Sequence, residues 1–164
     1  MSKRTASKLV LLVAAVAAAA FGWTILAHAG TTQSTEIRGG GTTMVRGGTG
    51  PHEFTPVLTK VGFNWREGKG GFECLALVPS TPAGQPGSGE FDTNAMYVTG
   101  SITSAQVQGD KAVLKGTATV TGLGAGSNEP FTATATRGGP GATLVLEVSG
   151  LTFSEILIDG EFSF

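Results

Sequence analysis

From residue 54 to the C-terminus, apolar and polar residues alternate with the period of two that marks strands, interrupted at short intervals by glycine-rich turns. Phe54–Arg66 is the first strong strand, with Val57, Val61, Phe63 and Trp65 on one face and Lys60, Asn64 and Arg66 on the other. Gly68-Lys69-Gly70-Gly71 has turn chemistry and sends Phe72–Val78 back as the second arm of a hairpin. There Phe72, Cys74, Ala76 and Val78 share a face, while Leu75 and Leu77 make the other face apolar too. This strand is expected to be covered on both sides, in a sheet-to-sheet interior in preference to an oligomer face. Pro79–Gly89 is rich in breakers and reads as an irregular surface loop.

The second half is more regular. Ala95–Gln108 and Lys111–Gly122 flank Gly109-Asp110 and predict a long hairpin. A phase slip between Ile102 and Val107 predicts a bulge in its first arm. Leu114, Gly116, Ala118 and Val120 form the inner face of the second arm. After a loop over Gly122–Glu129 come Phe131–Arg137, a turn at Gly138–Gly141, and Ala142–Ser149 with Ala142, Leu144, Leu146 and Val148 on one side. Leu151–Phe164 closes the chain with Phe153, Ile156, Ile158, Phe162 and Phe164, and its Asp159-Gly160 pair is either a tight turn or a bulge.

No segment after residue 30 keeps a helical period, so the expected fold is all-β. About seven to nine antiparallel strands suit either a β-sandwich or a small closed β-barrel. The domain is expected over residues 54–164, preceded by a Gly/Thr-rich, partly flexible lead-in at 30–53. In that lead-in Thr35–Arg38 and Thr42–Arg46 are candidate edge strands on either side of Gly39-Gly40-Gly41.

Residues 1–29 carry a different signal. Lys3, Arg4 and Lys8 precede an apolar run from Leu9 to Phe21, and Ala27-His28-Ala29 offers small residues at the −3 and −1 positions before Gly30. This is the order of a secretory signal peptide cleaved between Ala29 and Gly30; retention as an uncleaved anchor is the alternative. Cleavage removes three of the eleven basic residues and none of the twelve acidic ones, leaving a formal net charge of −4. An exported chain that is periplasmic, secreted or at the cell surface is therefore expected. Mild acidity without a basic stripe argues against nucleic acid, and no polybasic cluster is present to hold an anionic membrane surface.

The candidate chemistry is thin. Cys74 is the only cysteine, which rules out an intramolecular disulfide, and it reads as a small buried side chain. His52 is the one histidine left after cleavage, with no companion to complete a zinc site. No serine occupies a G-x-S-x-G elbow. Glu90, Asp92 and Asn94 alternate beside the Pro79–Gly89 loop and are weak candidates for a calcium site, since that ion takes about six to eight oxygens. Glu147 and Glu155 read as solvent-facing. Gly122-Leu123-Gly124-Ala125-Gly126 lacks both the Lys-Ser/Thr and the helix of a phosphate loop. No cofactor and no catalytic set is expected.

The pattern of Gly39–Thr42, Gly62-Phe63-Asn64, Val98-Thr99-Gly100-Ser101-Ile102, Gly109-Asp110-Lys111-Ala112 and Pro130–Thr136 resembles small secreted bacterial β-domains, free-standing or appended to surface proteins. That resemblance implies a fold and a location and carries over no site residues. The leading expectation is an exported, non-enzymatic domain with a structural or interaction role, its protein or surface partner and oligomeric state unspecified. A lipocalin-like barrel holding a small apolar ligand is the alternative. An outer-membrane barrel is the third, suggested by the alternation of Ile156, Ile158, Phe162 and Phe164, although the same alternation reads as a closing core strand and membrane insertion of the mature chain is not expected.

Overall fold

The computed structural model describes residues 36–47, 55–82 and 84–164. The signal segment, the Ala29/Gly30 junction and His52 lie outside the described residues. Eight strands follow one another: β1 Ile37–Val45, β2 Leu58–Arg66, β3 Lys69–Val78, β4 Thr93–Gln108, β5 Lys111–Gly122, β6 Gly126–Thr136, β7 Thr143–Val148 and β8 Leu151–Ser163. Each pairs antiparallel with its successor, and β8 pairs back onto β1 to close a barrel. Of the two architectures expected, the closed barrel is the one formed. Eight strands enclose a space that side chains alone can fill, and closure leaves no strand edge unpaired.

Most of the alternation carries through. Val61 and Phe63, Leu114 and Val120, and Leu144, Leu146 and Val148 all point inward and are buried. Gly109-Asp110 turns the β4–β5 hairpin, and the bulge expected in β4 lies between Ile102 and Ser104.

Three expectations are corrected. The glycines at 39–41 do not separate two edge strands of a lead-in. Ile37–Val45 is a single strand paired on both sides, so the barrel begins before residue 54. Leu75 and Leu77 are half-buried on the outer wall rather than in a sheet-to-sheet interior, because a closed barrel has no second sheet to cover them. The Gly122–Glu129 loop is shorter than expected, with β6 starting at Gly126. Of the two alternatives for Asp159-Gly160, the bulge is the one formed: Thr42 pairs with Asp159 and Thr43 with Leu157, so Ile158 is left over.

That extra residue reverses the phase of β8. Phe162 points into the barrel, yet on the far side of the bulge the inward residues are Leu157 and Glu155, while Ile156 and Ile158 are exposed. Gly160 accommodates the distortion with φ +111, and its backbone lies against Gly40.

The interior has two unequal halves. Toward the short turns, Phe63 stacks tilted on Phe162 with ring centroids 5.3 Å apart, and Phe72 on Phe131 at 5.0 Å. Gly39 makes this possible, because a Cβ there would lie 2.6 Å from Phe162 Cδ1 and closer still to Phe63. Arg137 lies over the Phe164 ring at 5.0 Å. Toward the long loops the inward residues are smaller, and space remains.

Candidate functional site

The space lies at the end where β3 joins β4 through residues 79–92. Val45, Val57, Ala76, Met96, Val98, Leu146 and Phe153 line a cavity of about 60 Å³, together with Thr59, Cys74 and Glu155. The β5–β6 turn crosses its mouth. Gly122 and Gly124 take φ +79 and +70 on either side of Leu123, and the Leu123 N–H donates to Ala95 O at 2.9 Å. Leu123 lines the cavity while staying 52% exposed, which places it at the entrance.

The polar floor is the feature that sequence reasoning missed. Glu155 is only 1% exposed and meets Thr43 and Thr59, themselves fully buried on β1 and β2. Thr59 Oγ1 donates to Glu155 Oε2 at 2.5 Å, Thr43 Oγ1 donates to the same oxygen, and the two hydroxyls contact each other. The three oxygens therefore meet pairwise, with both threonine hydroxyls directed at one carboxyl oxygen. Burial lifts the Glu155 carboxyl above the ordinary carboxylate range, with the Thr43 and Thr59 hydrogen bonds opposing part of that rise. No basic side chain pairs with it among the described residues, where the one ion pair is the exposed Arg66–Glu67 contact.

Glu155 was expected to face solvent because Ile156 and Ile158 looked like the inner face of the last strand. The bulge at Ile158 inverts that assignment. Thr59 did carry a legible signal, since it falls between Val57 and Val61 on a face otherwise apolar. Glu147, by contrast, is exposed as expected.

Cys74 is buried on β3 as expected, and it adjoins this floor. Burial raises its thiol well above the usual value, the nearby Glu155 charge adds to the rise, and a hydrogen bond from Thr59 opposes it. Such a thiol stays protonated and is a poor nucleophile.

The chain matches no family model, no curated protein and no solved structure. The site's chemistry therefore rests on its own geometry.

The expected oxygen cluster does not assemble. β4 begins only at Thr93, so Glu90 and Asp92 lie in the loop, while Asn94 stands exposed on the strand. The Asp92 carboxylate turns to Ser80, accepting from its N–H at 2.9 Å and from its hydroxyl at 2.8 Å. Those bonds hold Asp92 below the ordinary carboxylate range and fasten the two ends of the long loop together. Among the described residues, no group of three or more His, Cys, Asp or Glu side chains is placed to hold a metal ion.

Proposed function

We propose that the chain is an exported, non-enzymatic binding barrel that holds a small, mainly apolar molecule in the cavity beneath the β5–β6 turn. The observation that carries this reading is the buried Glu155 carboxyl at the floor of an otherwise apolar cavity. A barrel kept only for its wall would gain by replacing that carboxyl with a leucine, since burying such a group costs free energy that packing does not return. The size of the space limits the ligand. About 60 Å³ is roughly the liquid share of two waters, and pockets for drug-sized molecules run to about 300 Å³ or more. The occupant is therefore either very small or enters by moving Leu123 aside.

The test is native mass spectrometry on protein recovered from its host without denaturation, combined with xenon titration followed through the methyl signals of Met96 and Leu146. A retained small molecule or saturable xenon shifts, abolished by the cavity-filling variant Ala76→Phe, is the expected result. Neither signal at any loading would sink the reading.

A second reading, the structural or interaction role, is favoured by the outer wall. Ile156 pairs with Met44, Met44 with Leu58, and Leu58 with Leu77, forming an apolar row across four neighbouring strands. The outer-membrane alternative has less support. The strands carry Lys60, Lys115, Thr117 and Thr119 outward around an apolar core, the reverse of a barrel that faces lipid.

A further inference from the structure

An ionisable group and a space for a ligand share one wall of the barrel. Glu155 lines the cavity, is 1% exposed, and has no basic partner among the described residues. From β1 and β2 it meets the hydroxyls of Thr43 and Thr59, and from β3 the Cys74 thiol. The residues that β4, β5, β6, β7 and the rest of β8 bury are apolar, and no lysine, arginine, histidine or aspartate is buried among the described residues. Cys74 is thus the other titratable group facing it, and burial keeps that thiol protonated well above its ordinary value. Two neutral hydroxyls offset the charge of a carboxylate only in part. An ionised Glu155 therefore needs water beside it, because an unpaired buried charge is far costlier than a buried neutral acid. The cavity is the space such water would use, and its volume of about 60 Å³ is roughly the liquid share of two waters. With the carboxyl protonated, the same space is mainly apolar, and cavities of that kind stay dry or take apolar guests.

We infer that a neutral apolar occupant competes for this one space with the water that an ionised Glu155 requires, so that binding holds the carboxyl protonated and ionisation expels the occupant. The coupling rests on the ligand-binding reading above and adds a pH-controlled release to it. When the carboxyl ionises, its proton passes to bulk solvent and water replaces the occupant; rebinding takes one proton back up. Burial already lifts the Glu155 carboxyl above the ordinary carboxylate range in the empty barrel. An apolar occupant excludes the water that the cavity would offer and lifts it further. The two effects are reciprocal. The factor by which the occupant strengthens proton binding is the factor by which ionisation weakens the occupant. Affinity is therefore full below the titration of the carboxyl and falls as pH rises through it.

The decisive experiment is a xenon titration of the full chain at a series of pH values from about 4 to about 9. It is read through the methyl signals of Met96 and Leu146, with the Glu155 carboxyl carbon followed in the same samples. The expected result is a dissociation constant that is level at low pH and then rises by up to about tenfold per pH unit, the slope of one proton. Saturating xenon should move the midpoint of the carboxyl titration to higher pH by the same factor. In Glu155→Gln, which keeps the size of the side chain and cannot ionise, xenon affinity should be level across the series. Where that variant fails to fold, the movement of the wild-type carboxyl midpoint with xenon decides alone. A xenon affinity that stays level while the carboxyl titrates, or a midpoint that xenon leaves in place, overturns this inference and leaves the ligand-binding reading standing. So does a pH dependence that persists in Glu155→Gln, or a carboxyl that does not titrate anywhere in the series. Absence of xenon binding at every pH overturns both.

Discussion

Glu155 sits where ionisation is costly, and the consequence for stability can be signed. Burial raises the carboxyl in the folded state, so the folded chain keeps a proton that the unfolded chain gives up. The stability this group contributes is fully present below the unfolded value of about 4.3 and is lost as pH rises through the raised folded value. Thermal unfolding followed by circular dichroism should therefore show the melting temperature of the wild-type chain falling more steeply than that of Glu155→Gln from about pH 4 toward pH 8. Parallel curves would mean that the carboxyl does not titrate in that window. Asp92 acts with the opposite sign and elsewhere: its value is lowered, so its contribution is lost only as pH falls through the folded value, at the acid edge of the window.

At the scale of the strand, two local features decide what enters the barrel. The bulge at Ile158 sets the face of β8, and two substitutions on either side of that assignment check it. Leu157→Ala should cost about 2–5 kcal/mol, as for a fully buried leucine. Ile158→Lys should stay within about 0.5 kcal/mol, because the side chain is already in solvent. Urea denaturation of the pair measures both, and reversed magnitudes would return Ile158 to the core. Gly39 on β1 sets the aromatic packing. Any larger side chain meets the Phe63 and Phe162 rings, and Gly39→Val should destabilise by about 1–3 kcal/mol through overpacking in the same assay. These are also the places where the sequence misled: three consecutive glycines read as a break, and an alternation of Ile156 with Ile158 read as a core face. A glycine needed for a neighbour's ring and a glycine needed for a turn look identical in one dimension. A bulge, likewise, is fixed by the partner strand's register, and β1 lies more than a hundred residues away from β8.

For the whole molecule, closure has two effects. It buries one face of every strand, and it leaves the other face as a continuous outer wall on which residues distant in sequence become neighbours. The row of Ile156, Met44, Leu58 and Leu77 exists only because β8 meets β1. Met44 and Ile156 are exposed at 39% and 36%, so replacing both by lysine should change folding stability by no more than about 0.5 kcal/mol each while reducing retention on a phenyl column. A large loss of stability in urea would mean that the row is part of the fold's own packing and is no free surface. The cavity is a whole-molecule property too. Its lining comes from β2, β3, β4, β7 and β8 together with Val45 of β1 and the turn carrying Leu123.

The sequence by itself determined that the chain folds as antiparallel strands, where most turns fall, that β4 carries a bulge, and that Cys74 is buried. All of these follow from local chemistry: a period of two, glycine and proline at the breaks, a single thiol in an apolar run. Tertiary structure alone decided between sandwich and barrel, because closure depends on whether the last strand can reach the first. It also decided that Glu155 faces inward, that Thr43 and Thr59 meet it, and that a cavity remains above them. Those outcomes rest on the register between β1 and β8 and on how much volume the facing side chains fill, neither of which any stretch of sequence contains.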